Sequence, residues 1–368
     1  MRTTSYNIPI EDRDFFTLLR IGLWQKIEEP LSEHPDWAYI FRLACEQTVQ
    51  GVVADGLMLY EDYATEHHDY ARDVDEDVKE RFLDHAASIV YRNTLINQKQ
   101  EEITNLFRQQ HLLHYVVKGQ IAAANYPKPN LRCPGDIDIL IRPTDFSRTR
   151  DFLAPIVDKV DNYDSYMQHQ QFYIDDIEIE LHGTLRPCLG SRIDKAMDSL
   201  QQDLFDGTCN YETFSAIFIF LHALQHFHWS GLGLRQICDW TMFLHAKRSE
   251  IDFKQVSAAI NLMKVPMAWN TFLLFAIDWL AMPATDEYNI PSKSYATSKL
   301  WQCCCAKGNM GHKSNKPVSS NIIKRNFATW KDIIVSSKKA FSVSPRTSII
   351  YVLKQLGFYG EAFVNKMR

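Results

Sequence analysis

The residues best suited to chemistry lie between positions 118 and 182. Asp136-Ile137-Asp138 sets two carboxylates two residues apart, in an alternating run that leaves through Ile139-Leu140-Ile141. Strand side chains alternate, so both carboxylates project from one face. Two like charges that close repel unless a cation lies between them. Glu178-Ile179-Glu180-Leu181-His182 repeats the alternation and sets Glu178, Glu180 and His182 on one face. A third carboxylate on a neighbouring strand completes an oxygen cage of the kind that holds Mg²⁺. Two such ions, about 3.5–4 Å apart, activate an attacking oxygen and stabilise a leaving one in phosphoryl chemistry. Lys118, followed by Gly119, and Arg132 supply the positive charge that phosphate requires. A lone D-x-D also fits the solvent face of an edge strand. The Lys-Gly turn before this one and the acidic strand after it point to a site.

Positioning these residues takes a small sheet. His114–Val117 reads as a short strand running into Lys118-Gly119, and Tyr126-Pro127 to Pro134-Gly135 as a loop. Asp136–Ile141 is a strand. Residues 144–157 read as a helix capped by Thr144 or Asp145. Residues 166–173 and 177–182 form a strand pair turning at Asp175-Asp176. Helical periodicity flanks this segment. Before it, Phe82, His85, Ala86, Ile89, Val90, Asn93 and Ile96 share one face. After it come apolar helical runs over 214–229, 234–244, 256–262 and 265–282, then a loop-like stretch from 283 to 320 and short helices near 322–335 and 348–358. The fold class is therefore α+β, a small mixed sheet between helical regions.

The order Lys118-Gly119, Arg132, Asp136-x-Asp138 and Glu180-x-His182 resembles the polymerase-β-like nucleotidyltransferase superfamily, and more closely the bacterial uncharacterised nucleotidyltransferase family. Leu221-His222, His226, Gly233-Leu234-Arg235-Gln236 and Cys238-Asp239-Trp240 extend the likeness, which is clearest over residues 90–245. The resemblance implies an enzyme that moves an NMP from an NTP to an acceptor hydroxyl on a sugar phosphate, protein or RNA. It implies that Asp136, Asp138 and Glu180 bind Mg²⁺, as two ions, with Mn²⁺ as an alternative. Nucleotide contacts would come from Lys118, Gly119, Gln120 and Arg132. The usual Gly-Ser of the superfamily is Gly119-Gln120 here, and the gap to Asp136 is long. That departure supports an alternative, a non-catalytic nucleotide-binding regulatory protein. The implied organisation is a helical region 1–110, a nucleotidyltransferase-like core 111–190, a second helical region 191–285 and a basic tail 286–368.

Other residues admit two readings each. His222 and His226 sit four apart on an aromatic helix, but Ala223 follows His222, so the metalloprotease motif is missing. They are packing histidines or, with His226, Arg235 and Asp239, substrate-side or supporting residues. His182 is expected to support Glu180 by a hydrogen bond, since Mg²⁺ prefers oxygen. Cys303, Cys304 and Cys305 are adjacent, without the spacing of a zinc knuckle.

The charge balance narrows the partners. The 368 residues carry a net charge of −5, yet positions 301–368 hold twelve Lys/Arg against two Asp/Glu, leaving the remainder at −15. An acidic body excludes a wholly cationic nucleic-acid wrapper, and the basic tail suits an anionic partner. The N-terminus shows no apolar signal core. The run 265–283 is interrupted by Asn270 and Asp278, which favours a buried helix over a membrane span. Eight scattered or adjacent cysteines without a secretion signal fit a cytoplasmic protein with reduced thiols.

Overall fold

The structure is a computed structural model that describes residues 8–67, 74–291, 295–309, 338 and 340–355. Four helices open the chain: α1 (Arg13–Trp24), α2 (Trp37–Glu46), α3 (Gln50–Glu66) and α4 (Glu76–Gln109). The sheet segment comes next, as β1 (His114–Val117), α5 (Gly119–Ala123), β2 (Ile137–Ile141), α6 (Phe146–Leu153), β3 (Lys159–Asp164), β4 (His169–Ile174) and β5 (Ile177–His182). After it come α7 (Ser191–Phe205), α8 (Tyr211–His228), α9 (Leu234–Ala246), α10 (Phe253–Met263), α11 (Pro266–Asp278) and α12 (Thr297–Lys307). Residues 345–355 are also helical. The protein is α+β, with helices flanking a small mixed sheet.

Among the described residues the sheet has five strands in the order β1-β2-β5-β4-β3. Only β2 and β5 are parallel; the other neighbours are antiparallel. The alternation seen in the sequence divides its two faces. Ile137, Ile139, Ile141, Phe172, Ile177, Ile179 and Leu181 point to one side, where they pack with Phe146 and Leu153 of α6 and Ile96, Ile103 and Phe107 of α4. Asp136, Asp138, Glu178, Glu180 and His182 alternate with them and so face the other side. There Val117 and Leu140 join a larger core built from the remaining helices. That core unites both ends of the chain: Phe16 meets Phe275, Trp279 and Trp301 edge to face, and Trp24 Nε1 donates to Leu280 O. The acidic face is thus roofed by helices, and its carboxylates lose water.

Several elements depart from expectation. The helix read over 144–157 runs only from Phe146 to Leu153, and Pro155 tightens residues 154–156 into a single 3₁₀ turn. Asp145 holds its N-cap position without a side-chain hydrogen bond. β3 lacked a hydrophobic signature because it is an exposed edge strand of charged and polar residues. The stretch 283–320 is not all loop: α12 crosses it, burying Leu300, Trp301 and Cys304 on one helical face. Consecutive helical residues point about 100° apart, so Cys303, Cys304 and Cys305 diverge rather than converge on an ion. The helix read near 322–335 lies outside the described residues. α11 confirms the apolar run as a core helix with Pro266 in its first turn. Among the described residues no helix is long and apolar enough to cross a membrane.

Candidate active site

Strand register assembles the site. Val117 of β1 is opposite Asp138 of β2, and Asp138 is opposite Glu180 of β5. Asp136 enters at the mouth of the same face, just before β2. Ligand oxygens of Asp136, Asp138 and Glu180 all lie within 4.8 Å of one another. Opposed ligands of an octahedral Mg²⁺ stand about 4.2 Å apart, twice a bond of about 2.1 Å. The three carboxylates are therefore near enough to one another to share a cation. Asp138 Oδ2 is buried and has no hydrogen-bond partner, an acceptor left over that a cation would satisfy. On both counts the residues fit a divalent ion.

The turn after β1 brings the cation. Lys118 takes φ 59° and Gly119 φ 23°, so the chain folds back and Lys118 Nζ reaches Asp138 Oδ1 at 2.6 Å. A Cβ on Gly119 would lie 3.2 Å from the Asp136 carbonyl oxygen, so the glycine lets this turn approach β2. His182 Nε2 lies 2.8 Å from the same Asp138 oxygen and 3.3 Å from Glu180 Oε2. His182 therefore bridges two carboxylates, whereas the sequence pointed to Glu180 alone. His169 of β4 adds a third contact, 3.5 Å from Glu180 Oε2.

These neighbours split the carboxylates. Burial and the Asp136 charge push the Asp138 carboxyl up to about 6, against the opposing pull of Lys118 and His182. Burial also acts on Glu180, but the close approach of the His169 and His182 imidazoles and the Lys118 charge hold it below the usual carboxylate range. Burial would lower Lys118, and Asp138, Asp136 and Glu180 together raise it, so the ammonium stays charged. Glu178 faces the same side, its carboxyl raised by burial and by Glu180 and Asp136.

Two arginines line one cleft with Asp136 and Asp138, beside residues of α8 and α9. Arg132 gives Nε and Nη2 to Asp239 at 3.1 and 2.7 Å, and Tyr126 Oη donates to the same carboxylate at 2.8 Å. That fork leaves Arg132 Nη1 buried without a partner. Arg235 donates Nη1 to Pro134 O at 2.9 Å, and its Nε is likewise buried and unpartnered. Both arginines line the cleft together with Lys118, Asp136, Asp138 and His222. Two buried donors without acceptors, beside carboxylates with a spare acceptor, suit an anion bridged to a cation.

A model described as an uncharacterised nucleotidyltransferase matches residues 33–281. The chain belongs to the uncharacterised nucleotidyltransferase family. No curated protein and no solved structure matches it. The family match takes in α2–α11, hence the whole sheet and both arginines. Within this nucleotidyltransferase the other residues singled out in the sequence divide in two. Gln120 turns to α4, its Nε2 bonded to Asn97 Oδ1 at 2.5 Å and 3.4 Å from Asn93 Oδ1. His226 pairs with His222 through their Nε2 atoms at 2.9 Å and with Ser230 Oγ at 2.6 Å. Burial and the Lys118 charge lower both imidazoles, His226 to about 4, so the pair is neutral.

Three contributors escaped the sequence reading. Asn93 Nδ2 donates to Asn130 O and Arg132 O, both at 2.8 Å, tying the loop before β2 to α4. In the sequence it looked like one more residue of an apolar helical face. Gly51 packs under the same loop, where a Cβ would lie 2.2 Å from Leu131 O. His169 lay in a segment read as a strand, and its alternation with Gln171 and Tyr173 was the available signal.

Proposed function

We propose that this nucleotidyltransferase is an Mg²⁺-dependent enzyme that moves an NMP from an NTP to an acceptor hydroxyl on a sugar phosphate, a protein or an RNA. The observation that carries the reading is the meeting of opposite charges in one cleft: Asp138, with a buried oxygen that lacks a partner, lines it together with Arg132 and Arg235, each with a buried nitrogen that lacks one. A metal-bound triphosphate supplies what each side lacks. Asp136, Asp138 and Glu180 would hold two Mg²⁺ ions, with Mn²⁺ able to replace them. Bound ions of this kind neutralise phosphate charge and align attacking and leaving oxygens. Arg132 and Lys118 would take phosphate oxygens, and Gly119 would let the backbone approach them. Arg235 serves the same anion from α9, while Asp239 and Tyr126 keep Arg132 oriented. The acceptor oxygen attacks the α-phosphorus, the bond to the bridging oxygen breaks, pyrophosphate leaves, and the acceptor proton passes toward Glu180. Catalysis here is positioning and charge neutralisation.

The division into 1–110, 111–190, 191–285 and 286–368 belongs to this reading, with the middle segment as the catalytic core. So does a cytoplasmic setting, which supplies NTP and Mg²⁺ together. The basic tail, much of it outside the described residues, is assigned an anionic partner. One observation favours the regulatory alternative: Gln120, where the superfamily has Ser, is turned to Asn97 and Asn93. α-Labelled NTPs offered with Mg²⁺ and acceptor pools distinguish the two. Wild-type labelling that Asp136→Asn/Asp138→Asn abolishes supports transfer. Nucleotide binding without pyrophosphate release supports the alternative, and undiminished labelling by the double variant refutes the site.

A further inference from the structure

Beside the oxygen cage stands a second group of donors with different chemistry. His169 of β4 and His182 of β5 are partners across an antiparallel pair, and Glu180 precedes His182 by two residues on the same face. The two rings stack with centroids 4.7 Å apart and planes 22° from parallel. Both turn Nε2 toward one atom, Glu180 Oε2, at 3.5 Å from His169 and 3.3 Å from His182. His169 Nε2 is buried and makes no hydrogen bond. The three donor atoms lie within 4.8 Å of one another.

These separations have a chemical meaning. Nitrogen and oxygen ligands about 2.0–2.2 Å from a tetrahedral ion stand about 3.3–3.6 Å from each other. Both edges at Glu180 Oε2 fall in that range, whereas a charged imidazole–carboxylate hydrogen bond contracts to about 2.7–2.9 Å. Two imidazole nitrogens with one carboxylate oxygen form the His₂Glu set that Zn²⁺ takes in open sites, while Mg²⁺ keeps to oxygen. We infer that His169, Glu180 and His182 form a second metal site, specific for a zinc-class divalent ion and distinct from the oxygen cage of Asp136 and Asp138. Glu180 is common to the two, offering Oε2 to the histidines while Oε1 accepts from Gln171 Nε2 at 3.2 Å. A zinc ion on His182 Nε2 replaces the proton there, which goes to solvent, and breaks that nitrogen's hydrogen bond to Asp138. The inference goes beyond nucleotidyl transfer, since it stands on nitrogen ligands that the transfer reading uses only as supports.

The test uses the full chain, freed of metal by a chelator and titrated calorimetrically with Zn²⁺ and separately with Mg²⁺. Wild type should bind one equivalent of Zn²⁺, and His169→Gln should bind it at least ~10-fold more weakly, the loss expected for removing a group that tunes or ligates the metal. Asp136→Asn should show the opposite selectivity, losing Mg²⁺ and keeping Zn²⁺. Wild-type protein loaded with Co²⁺ should give the intense visible absorption of a four-coordinate site with nitrogen ligands. Unchanged Zn²⁺ affinity in His169→Gln overturns the inference. So does loss of Zn²⁺ in Asp136→Asn alone, which would mean zinc had only replaced magnesium in the oxygen cage. A weak, six-coordinate Co²⁺ spectrum from wild type also overturns it, and that measurement needs no variant to fold. Zinc binding without any NMP transfer would sink the proposed function and leave this site standing.

Discussion

Replacing Arg132 with methionine should cost the protein about 3–5 kcal/mol, the penalty for stranding a buried charge. The guanidinium and its partner Asp239 are 5% and 8% exposed, so water cannot screen what is lost. After the substitution Asp239 keeps the Tyr126 hydroxyl at 2.8 Å but no hydrogen-bonded cation. An unfolding entropy of about 2.1 cal/mol/K per residue amounts to about 0.8 kcal/mol/K for the 368-residue chain melting as one unit. The expected fall in Tm is then about 4–6 °C, read by calorimetry and by tryptophan fluorescence, with Trp240 next to Asp239 as a local reporter. Arg132→Met/Asp239→Leu removes both charges and leaves only the Tyr126 hydroxyl unpaired, so it should melt within about 2 kcal/mol of wild type. Both variants should lose triphosphate affinity, because the unpartnered Nη1 goes with the side chain. A single-variant shift below about 1 °C would show that the pair is not a buried, mutually dependent one. A double variant as unstable as the two single changes added together would show the same.

Other expectations rest on the same geometry. Asp138 sits at about 6 in the folded chain, above its ordinary value, so a proton competes with metal for it below that pH. Mg²⁺ affinity should be flat above pH 7 and fall up to tenfold per unit below pH 6. Asp136→Asn, which removes a charge that raises Asp138, should move that midpoint downward, and an affinity constant from pH 5 to 8 contradicts this. Gly119→Ala puts a Cβ 3.2 Å from Asp136 O at a positive φ, and should cost about 1–2 kcal/mol and weaken Mg²⁺ binding severalfold. Unchanged Mg²⁺ titrations would separate Gly119 from the metal site. Asn93→Ala strips two hydrogen bonds of 2.8 Å from the Arg132 loop and should lower stability by about 2–3 kcal/mol while weakening NTP binding. NTP affinity equal to wild type would show that the loop holds without Asn93.

The features legible in the sequence and those hidden from it divide along physical lines. Period-two alternation at Asp136–Ile141 and Ile177–His182 was enough to place three carboxylates on one face, because a strand's geometry is local. The partner of Arg132 was not readable: Asp239 is 107 residues away on α9, and only tertiary packing brings them together. β3 is not legible because an exposed edge strand needs no apolar face. α12 is hidden because its buried Leu300, Trp301 and Cys304 stand among Ser, Lys and Gln that resemble loop. Asn93 was visible only as part of a helical stripe, since nothing local tells a buried amide that braces a loop from one that points to water. Arg235 and Asp239 were singled out by resemblance, and the structure separates them into a cleft-lining donor and the anchor of Arg132.

The decisive experiment is a crystal structure of the full chain with Mg²⁺ and an NTP analogue whose α–β bridge is a methylene. Cation density should be bonded to Asp136, Asp138 and Glu180, with phosphate oxygens on the far side held by Lys118, Arg132 and Arg235. Nucleotide bound elsewhere, or carboxylates that make no contact with the ion, would contradict the assignment of this cleft as the active site.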